Sequence, residues 1–454
     1  MDDKLAAASS KEAQSLSNGS KRSGWISFPF FIGMVAGLSL ASTGIVGNLI
    51  VYLISEFNIK SINAAQIVNV VIGSTNLFPI IAAIVADSFF GSFSVAFATS
   101  CVALLDNLGW ALGFGICAVA TFVGVVVFVL GYPFYQMDEP RGSAVLDLGR
   151  VIVASVRKWK YNLSSRVEDY YTSPTSCDDV TVQMLPPATL RKRLRFFNRA
   201  ALITDTDLKS DGSIKKSSWR LCTIQQVEDL KKIIGILPLW TSSTFLAIPI
   251  AMQSNLTVLQ ALVMDRSIGS HFKFPAGSIS IIILISTTIF LTFLDRVLLP
   301  GWYKITGKTA MPLQRIGVGY VLTILSMVVS ALVESKRLEL AHRRVDMSVL
   351  WLFPQLVLVG IGEAFHFPAQ ITFYYQQFPQ SLRSVSTAMI SMIIGIAFYL
   401  NTALIDQVRR STDWLPDDIN HGKVDNVYWM LVLFGSINFV YYLLCSAFYK
   451  YENV

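Results

Sequence analysis

Long apolar stretches separated by short polar breaks dominate this chain. Residues 26–54, 66–86, 110–132, 233–253, 275–295, 316–334, 348–372, 384–404 and 428–448 are each long and apolar enough to cross a bilayer. A crossing takes about 20 largely apolar residues, because ~30 Å of hydrocarbon is covered at ~1.5 Å per residue. Lipid offers the backbone no hydrogen bonds, so each segment must close its own ladder as a helix. A further apolar segment, 92–105, reaches only about 21 Å as a helix. The pattern predicts an all-α multi-pass membrane protein of about ten spans.

Composition strengthens that reading. The chain is 53% hydrophobic and 15% charged, where soluble domains carry about 25% charged residues. The net charge of +7 comes from basic residues clustered in loops. Membrane topology accounts for such clusters, so a nucleic-acid partner is not expected. Residues 1–24 are polar and lack the apolar core of a cleaved signal. The N-terminal tail carries Lys4, Lys11, Lys21 and Arg22, the next loop only Lys60. That asymmetry places the N-terminus in the cytoplasm, and an even span count returns the C-terminus there. The loop 335–347, with Lys336, Arg337, Arg343 and Arg344, then falls outside, against the rule.

The polar stretch 133–232, with Pro174, Pro186 and Pro187, reads as a cytoplasmic linker between two membrane halves. Within it, 147–161 forms a basic amphipathic helix carrying Val151, Val153 and Val156, suited to resting on the inner membrane surface. Residues 203–218 are polar and expected to be mobile. The expected division is 1–24 N-tail, 25–132 N-terminal bundle, 133–232 linker, 233–448 six-span C-terminal bundle and 449–454 C-tail. Five cysteines show no paired spacing and read as free thiols. The sequon Asn255-Leu256-Thr257 falls near an outer loop, within reach of a glycan.

No P-loop, HExxH, GxSxG or GxGxxG motif is present, so neither an enzyme nor a cofactor is expected. What remains are polar residues inside spans, which are costly in lipid and usually face a bundle interior or a water path. The sharpest is Glu363, within Gly360-Ile361-Gly362-Glu363-Ala364-Phe365-His366-Phe367-Pro368. The glycines permit close helix approach, and the proline frees a backbone carbonyl. His366, three residues on, could share the face of Glu363. A structural carboxylate bonded to a neighbouring helix is the competing reading. Asn48, Asn69, Asn76 and Gln253 suit either a pathway lining or interhelical hydrogen bonds. Asp87 and Gly91 read as a structural turn, and Asp406 as a solvated residue at a span end.

Several strings together resemble the plant nitrate/peptide branch of the proton-coupled oligopeptide transporter superfamily. They include Gly47 to Leu53, Asp87 to Gly91, Trp219-Arg220-Leu221-Cys222, Met264-Asp265-Arg266, Phe274-Pro275-Ala276-Gly277, Pro312 to Gly317 and Gly360 to Phe365. Asp413-Trp414-Leu415-Pro416 and His421 to Trp429 most resemble the nitrate-excretion subgroup. The resemblance implies a major-facilitator fold of two six-span bundles. It also implies a midplane site reached by alternating access.

Two departures qualify what the resemblance implies. The family's proton-coupling acids and base in the first span are matched here by Val35, Leu38 and Ser39, none of which ionises. Leu105 also runs directly into Asp106, where the family has two to three more spans. The expectation is therefore a truncated facilitator moving a small inorganic anion, nitrate or chloride, out across the plasma membrane, with Glu363, His366, Asn48 and Gln253 along its path. The alternative is a non-transporting isoform acting as a regulatory partner.

Overall fold

The computed structural model describes residues 29–30, 32–35, 38, 42, 46–85, 112–134, 144–164, 169–171, 194–204, 207, 219–269, 272–379 and 382–449. Its elements in chain order are α1 (Val46–Ser55), α2 (Ser61–Val85), α3 (Leu112–Leu130), α4 (Ala144–Arg157), α5 (Ile224–Val263), α6 (Ala276–Thr306), α7 (Pro312–His342), α8 (Val349–Gln377), α9 (Arg383–Ser411) and α10 (Val424–Phe448). A two-stranded antiparallel hairpin, Ser267–Ile268 with Phe272–Lys273, lies between α5 and α6.

Seven helices among the described residues are long and apolar enough to cross a membrane: α2 and α5 to α10. The six expected C-terminal spans are all there. In the N-terminal half, 26–54 is helical where described, and 110–132 contains the 19-residue α3. Segment 92–105 lies outside the described residues. The exposed faces are apolar: Leu433, Ile437, Val440 and Leu444 on α10 are each more than half exposed, as are Leu284, Ile285 and Ile289 on α6. Such stripes would be a liability in water and are the natural surface toward lipid chains.

Helix α5 begins earlier than expected. Thr223 caps it: its hydroxyl accepts from the Gln226 amide while the Gln226 side chain accepts from the Thr223 amide. Its 40 residues reach about 60 Å, twice a bilayer core. The first turns therefore project from the membrane and carry the linker. Val151, Ala154, Tyr170, Ala200, Leu202 and Cys222 pack there against Val227 and Leu230 as a small core. The expectation of a mobile 203–218 is corrected at the residues of it that are described, 203, 204 and 207. Thr204 and Asp207 are buried, and the Asp207 carboxylate accepts from Lys158 Nζ at 2.7 Å and Thr204 Oγ1 at 2.6 Å. Burial lowers the Lys158 pKa, and the paired carboxylate works against that. In Asp207 burial pushes up, but bonds from Lys158 and Thr204 hold the pKa below the ordinary carboxylate value.

The bundle thus has a linker end, where α5 and α7 start, and a distal end, carrying residues 56–60, 264–275, 343–348 and 412–423. At the distal end one apolar core joins Ile50, Ile62, Ala65 and Val68 to Met252, Leu256, Ile405, Tyr428 and their neighbours. The second core, around Leu239, Ile316, Phe373 and Leu382, draws its buried residues from the C-terminal half alone. Two further expectations fail. The sequon residue Asn255 is inside α5, 4% exposed, and donates to Asn69 Oδ1 at 2.6 Å, so no glycan can reach it. Arg337 belongs to α7 rather than to a loop. Its guanidinium forms a fork with Glu334, with both bonds at 2.7 Å and both residues buried. Gln260 and Asn420 complete the shell, at 2.7 Å from Glu334 and 2.5 Å from Arg337.

Close helix approach at Gly360 is the tightest constraint on α8. A Cβ there would lie 2.6 Å from Ser286 Cβ and 2.7 Å from the Ile283 carbonyl of α6. Gly360→Ala should lower stability by about 1–3 kcal/mol through overpacking. Gly301→Ala meets open space and should be neutral or slightly stabilising. Melting of the purified protein in detergent checks the pair, and equal midpoints would refute the packing argument.

Candidate substrate pathway

Helix α8 presents two faces to two neighbours. Gly360 and Glu363, three apart, lie toward α6; Gly362 and His366, four apart, lie toward α7. Glu363 is half-buried, and its Oε2 accepts a 3.4 Å bond from Thr287 Oγ1, a hydroxyl that also donates to the Ile283 carbonyl at 2.8 Å. His366 is 4% exposed, with its ring edge-on to Tyr320 at 6.1 Å. The two residues therefore do not share a face. The 60° between positions three apart is enough to split them, because glycines on both sides let two helices approach at once.

His366 belongs to a second polar group, in the linker-end half of the C-terminal bundle. The Tyr320 hydroxyl lies 2.5 Å from Ser242 Oγ, Asn438 Nδ2 donates to the Ser242 carbonyl, and Gln370 donates to the Tyr374 hydroxyl. Neither His366 nitrogen meets a hydrogen-bonding partner among the described residues, and the same holds for Gln370 Oε1 and Asn438 Oδ1. Residue spacing gave no sign of this convergence, because its members come from four helices.

Gln253 is buried between α5 and α7, donating to Ser326 and Ser330 at 2.9 and 2.8 Å. That is the interhelical role rather than an open pathway face. Asn48 is exposed on α1, its side chain packed over the Gly277 backbone at the start of α6. Asn69 and Asn76 bond Asn255 and the Ile72 carbonyl respectively. Val35 is 43% exposed and Leu38 half-buried. Ser39, Asp87 and Gly91 lie outside the described residues. No cluster of metal-ligating side chains occurs among the described residues.

The two halves meet along α2 and α9. Gly73 and Gly395 mark the crossing: a Cβ on Gly395 would lie 3.0 Å from the Gly73 carbonyl. Ser74 and the Tyr399 hydroxyl are 2.6 Å apart beside it. Toward the distal end follow Gln66 to Asp406 at 2.6 Å, Arg409 to Asn63 at 2.9 Å, and Asp417 accepting from Lys60 at 2.6 Å and Arg409 at 2.9 Å. Asp406 is thus solvated but also tied to the other half. The described conformation is closed at its distal end.

A sequence profile described as the POT family matches residues 83–421. Protein NRT1/PTR FAMILY 2.6 of Arabidopsis thaliana is 41% identical, covering 99% of this chain and 98% of the relative. Its homologue NRT1/PTR FAMILY 2.7 is 42% identical, covering 95% and 93%. This chain belongs to the POT family, in its NRT1/PTR branch. It is a multi-pass membrane transporter and not an enzyme. The crystal structure of an auto-inhibited POT family peptide transporter superposes with a TM-score of 0.67 at 13% identity, covering 94% of this chain and 98% of the other. A second, the POT family transporter PepTSo, gives 0.65 over 93% and 97%. The fold is therefore that of the POT family. The alignment with NRT1/PTR FAMILY 2.6 runs over 557 positions against 454 residues here, so about a hundred fall opposite nothing in this chain.

The distal lock yields a charge-swap test. The hydrogen bond from Lys60 is the largest influence on the Asp417 pKa, which lies below the ordinary carboxylate value, with burial opposing and Arg409 assisting. A depressed carboxylate contributes fully above its unfolded pKa, about 4, and fades only as pH falls through the lower folded value. Lys60→Asp should raise the labelling rate of a Ser74→Cys reporter by an impermeant thiol reagent about two- to five-fold, a modest effect for an exposed pair. Lys60→Asp with Asp417→Lys should restore it, and the wild-type rate, corrected for reagent ionisation, should be flat between about pH 5.5 and 7.5. An unchanged rate in the single variant would show that the lock does not guard Ser74.

Proposed function

We propose that this transporter lets a small inorganic anion, nitrate or chloride, leave the cell across the plasma membrane with weak or no proton coupling. The observation that carries this reading is Val35, Leu38 and Ser39 at the positions matching the family's coupling acids and base. A side chain that does not ionise cannot carry a proton. Among the described span residues, Glu363 stands out as a mid-depth carboxylate without a basic partner. Outward anion flux is favoured by a negative interior, at about 2.3 kcal/mol per 100 mV. The charge asymmetry of the N-tail against Lys60 supports a cytoplasmic N-terminus. On that orientation the distal end faces outward and the lock closes the outside. The 133–232 linker is then cytoplasmic, joining a shortened N-terminal bundle to a six-span C-terminal one.

Labelled-nitrate flux in proteoliposomes at fixed voltage tests this. Flux should change less than about two-fold from pH 5.5 to 7.5, and a strict one-proton-per-anion stoichiometry would overturn the reading. Glu363→Gln, at matched abundance, should reduce flux by about ten-fold, as expected when a buried polar group on a path is altered. Unchanged flux would return Glu363 to a purely structural role.

One observation favours a second reading, a non-transporting product or regulatory partner. About a hundred positions of the alignment with NRT1/PTR FAMILY 2.6 have no counterpart in this chain. Rocking of two halves about a midplane site needs both. A chimaera carrying a relative's missing spans at the Leu105–Asp106 junction should reach the surface in larger amounts and carry more nitrate. Equal abundance and efflux in the two would overturn the second reading.

A further inference from the structure

The linker helix α4 buries less of its apolar arc than it has. Val151, Ala154, Ser155 and Lys158 face the small linker core. Beside that face runs a stripe at helical spacing, Ile152, Val156 and Trp159, that is 46%, 56% and 63% exposed. Three cation–π pairs lie in the same module: Lys160 over Trp159 at 5.7 Å, Arg199 over Phe196 at 5.5 Å and Arg150 over Trp219 at 5.9 Å. All three rings are exposed. Arg157, Lys160 and Arg199 have no carboxylate within ion-pair distance among the described residues. The module is fixed to the first turns of α5, which enters the membrane a few residues later.

We propose that α4 is a membrane-surface anchor. Ile152, Val156 and Trp159 insert at the boundary between headgroups and acyl chains, and Arg157, Lys160 and Arg199 bind anionic headgroups. Exposed aliphatic residues mixed with tryptophan and free cations suit a lipid interface, where ring and stem are buried and charge stays wet. Each cation near an anionic surface adds attraction that salt screens. Together they hold the start of α5, and with it the C-terminal bundle, at fixed depth.

Spin-label accessibility of the full chain in nanodiscs tests this and does not depend on what the protein carries. Labels go on Ile152→Cys or Val156→Cys, with Asp413→Cys in the exposed distal loop as the solvent reference, in a background where Cys101, Cys117, Cys177 and Cys445 are replaced by serine or alanine. Cys222 can stay, because burial pushes its thiol up to about 11 and leaves it unreactive near neutral pH. Both labelled positions are exposed, so labelling removes no packing. In phosphatidylcholine discs containing a quarter phosphatidylglycerol, labels at 152 and 156 should be several-fold more accessible to oxygen than to a water-soluble nickel chelate, relative to the reference. The preference should weaken in pure phosphatidylcholine or molar salt. Nickel accessibility equal to the reference in both lipids overturns the proposal. Shielding from both reagents also overturns it, since protein rather than lipid would then cover the stripe.

Discussion

The crossing of α2 over α9 at Gly73 and Gly395 is the contact on which the arrangement of the two halves depends. With no Cβ on either glycine the two backbones approach closely, and a Cβ on either residue would meet the partner helix at about 3 Å. That approach sets the depth at which Ser74 meets Tyr399 and brings Gln66, Asn63 and Lys60 into register with Asp406, Arg409 and Asp417. It also lets Ile62, Ala65 and Val68 join the apolar core of the other half. Small residues at a helix crossing are the membrane's substitute for the hydrophobic drive available in water.

The charges are placed unequally. Glu334 and Arg337 are buried, forked together and capped by Gln260 and Asn420, all within the C-terminal half or its loop. Removing one partner of such a pair strands the other charge at a cost of about 3–5 kcal/mol. By contrast, the charged bonds between the halves are exposed or partly so, with the Lys60 side chain 65% accessible, and the buried Asn255–Asn69 bond is neutral. Broken, they return to water at little cost. The C-terminal bundle is thus held by strong ion pairs, while the ion pairs across the seam are weak and the shared apolar core does most of the holding there.

The six C-terminal spans were legible because their apolar runs are long and end in polar breaks; 348–372 and 428–448 fall within a few residues of α8 and α10. What escaped had specific causes. The early start of α5 was written in Thr223 and Gln226, a capping spacing lost inside a segment judged polar. Arg337 reads as a loop residue from sequence because an arginine at a span end counts as a boundary, although Glu334 three residues earlier is the spacing of a helical ion pair. Lys158 and Asp207 are 49 positions apart with no shared periodicity, so the linker's internal fold could not be read locally. The separation of Glu363 from His366 depended on which helices would fill the two glycine grooves, a tertiary fact.

For a major-facilitator transporter to expose its site alternately, the closed distal end must open without unfolding either half. The geometry suits that requirement on one side. At the glycine-to-glycine crossing Tyr399 lies over Gly73 and Leu77 over Gly395, so α2 can roll on α9 once these two side chains shift, while the polar pairs exchange partners with water. Joined core residues such as Ile62 and Val68 would have to leave Leu256 and Ile405, and that apolar separation, rather than the ion pairs, sets the main cost. The C-terminal bundle can move as a body, since Gln253, Glu334 and Arg337 stitch α5, α7 and the α9–α10 loop together. In the N-terminal half, α2 carries the crossing and, with Lys60 just before it, the polar pairs. The main resistance to opening therefore lies in separating that shared apolar core, and the polar lock between the halves is the easier part to open.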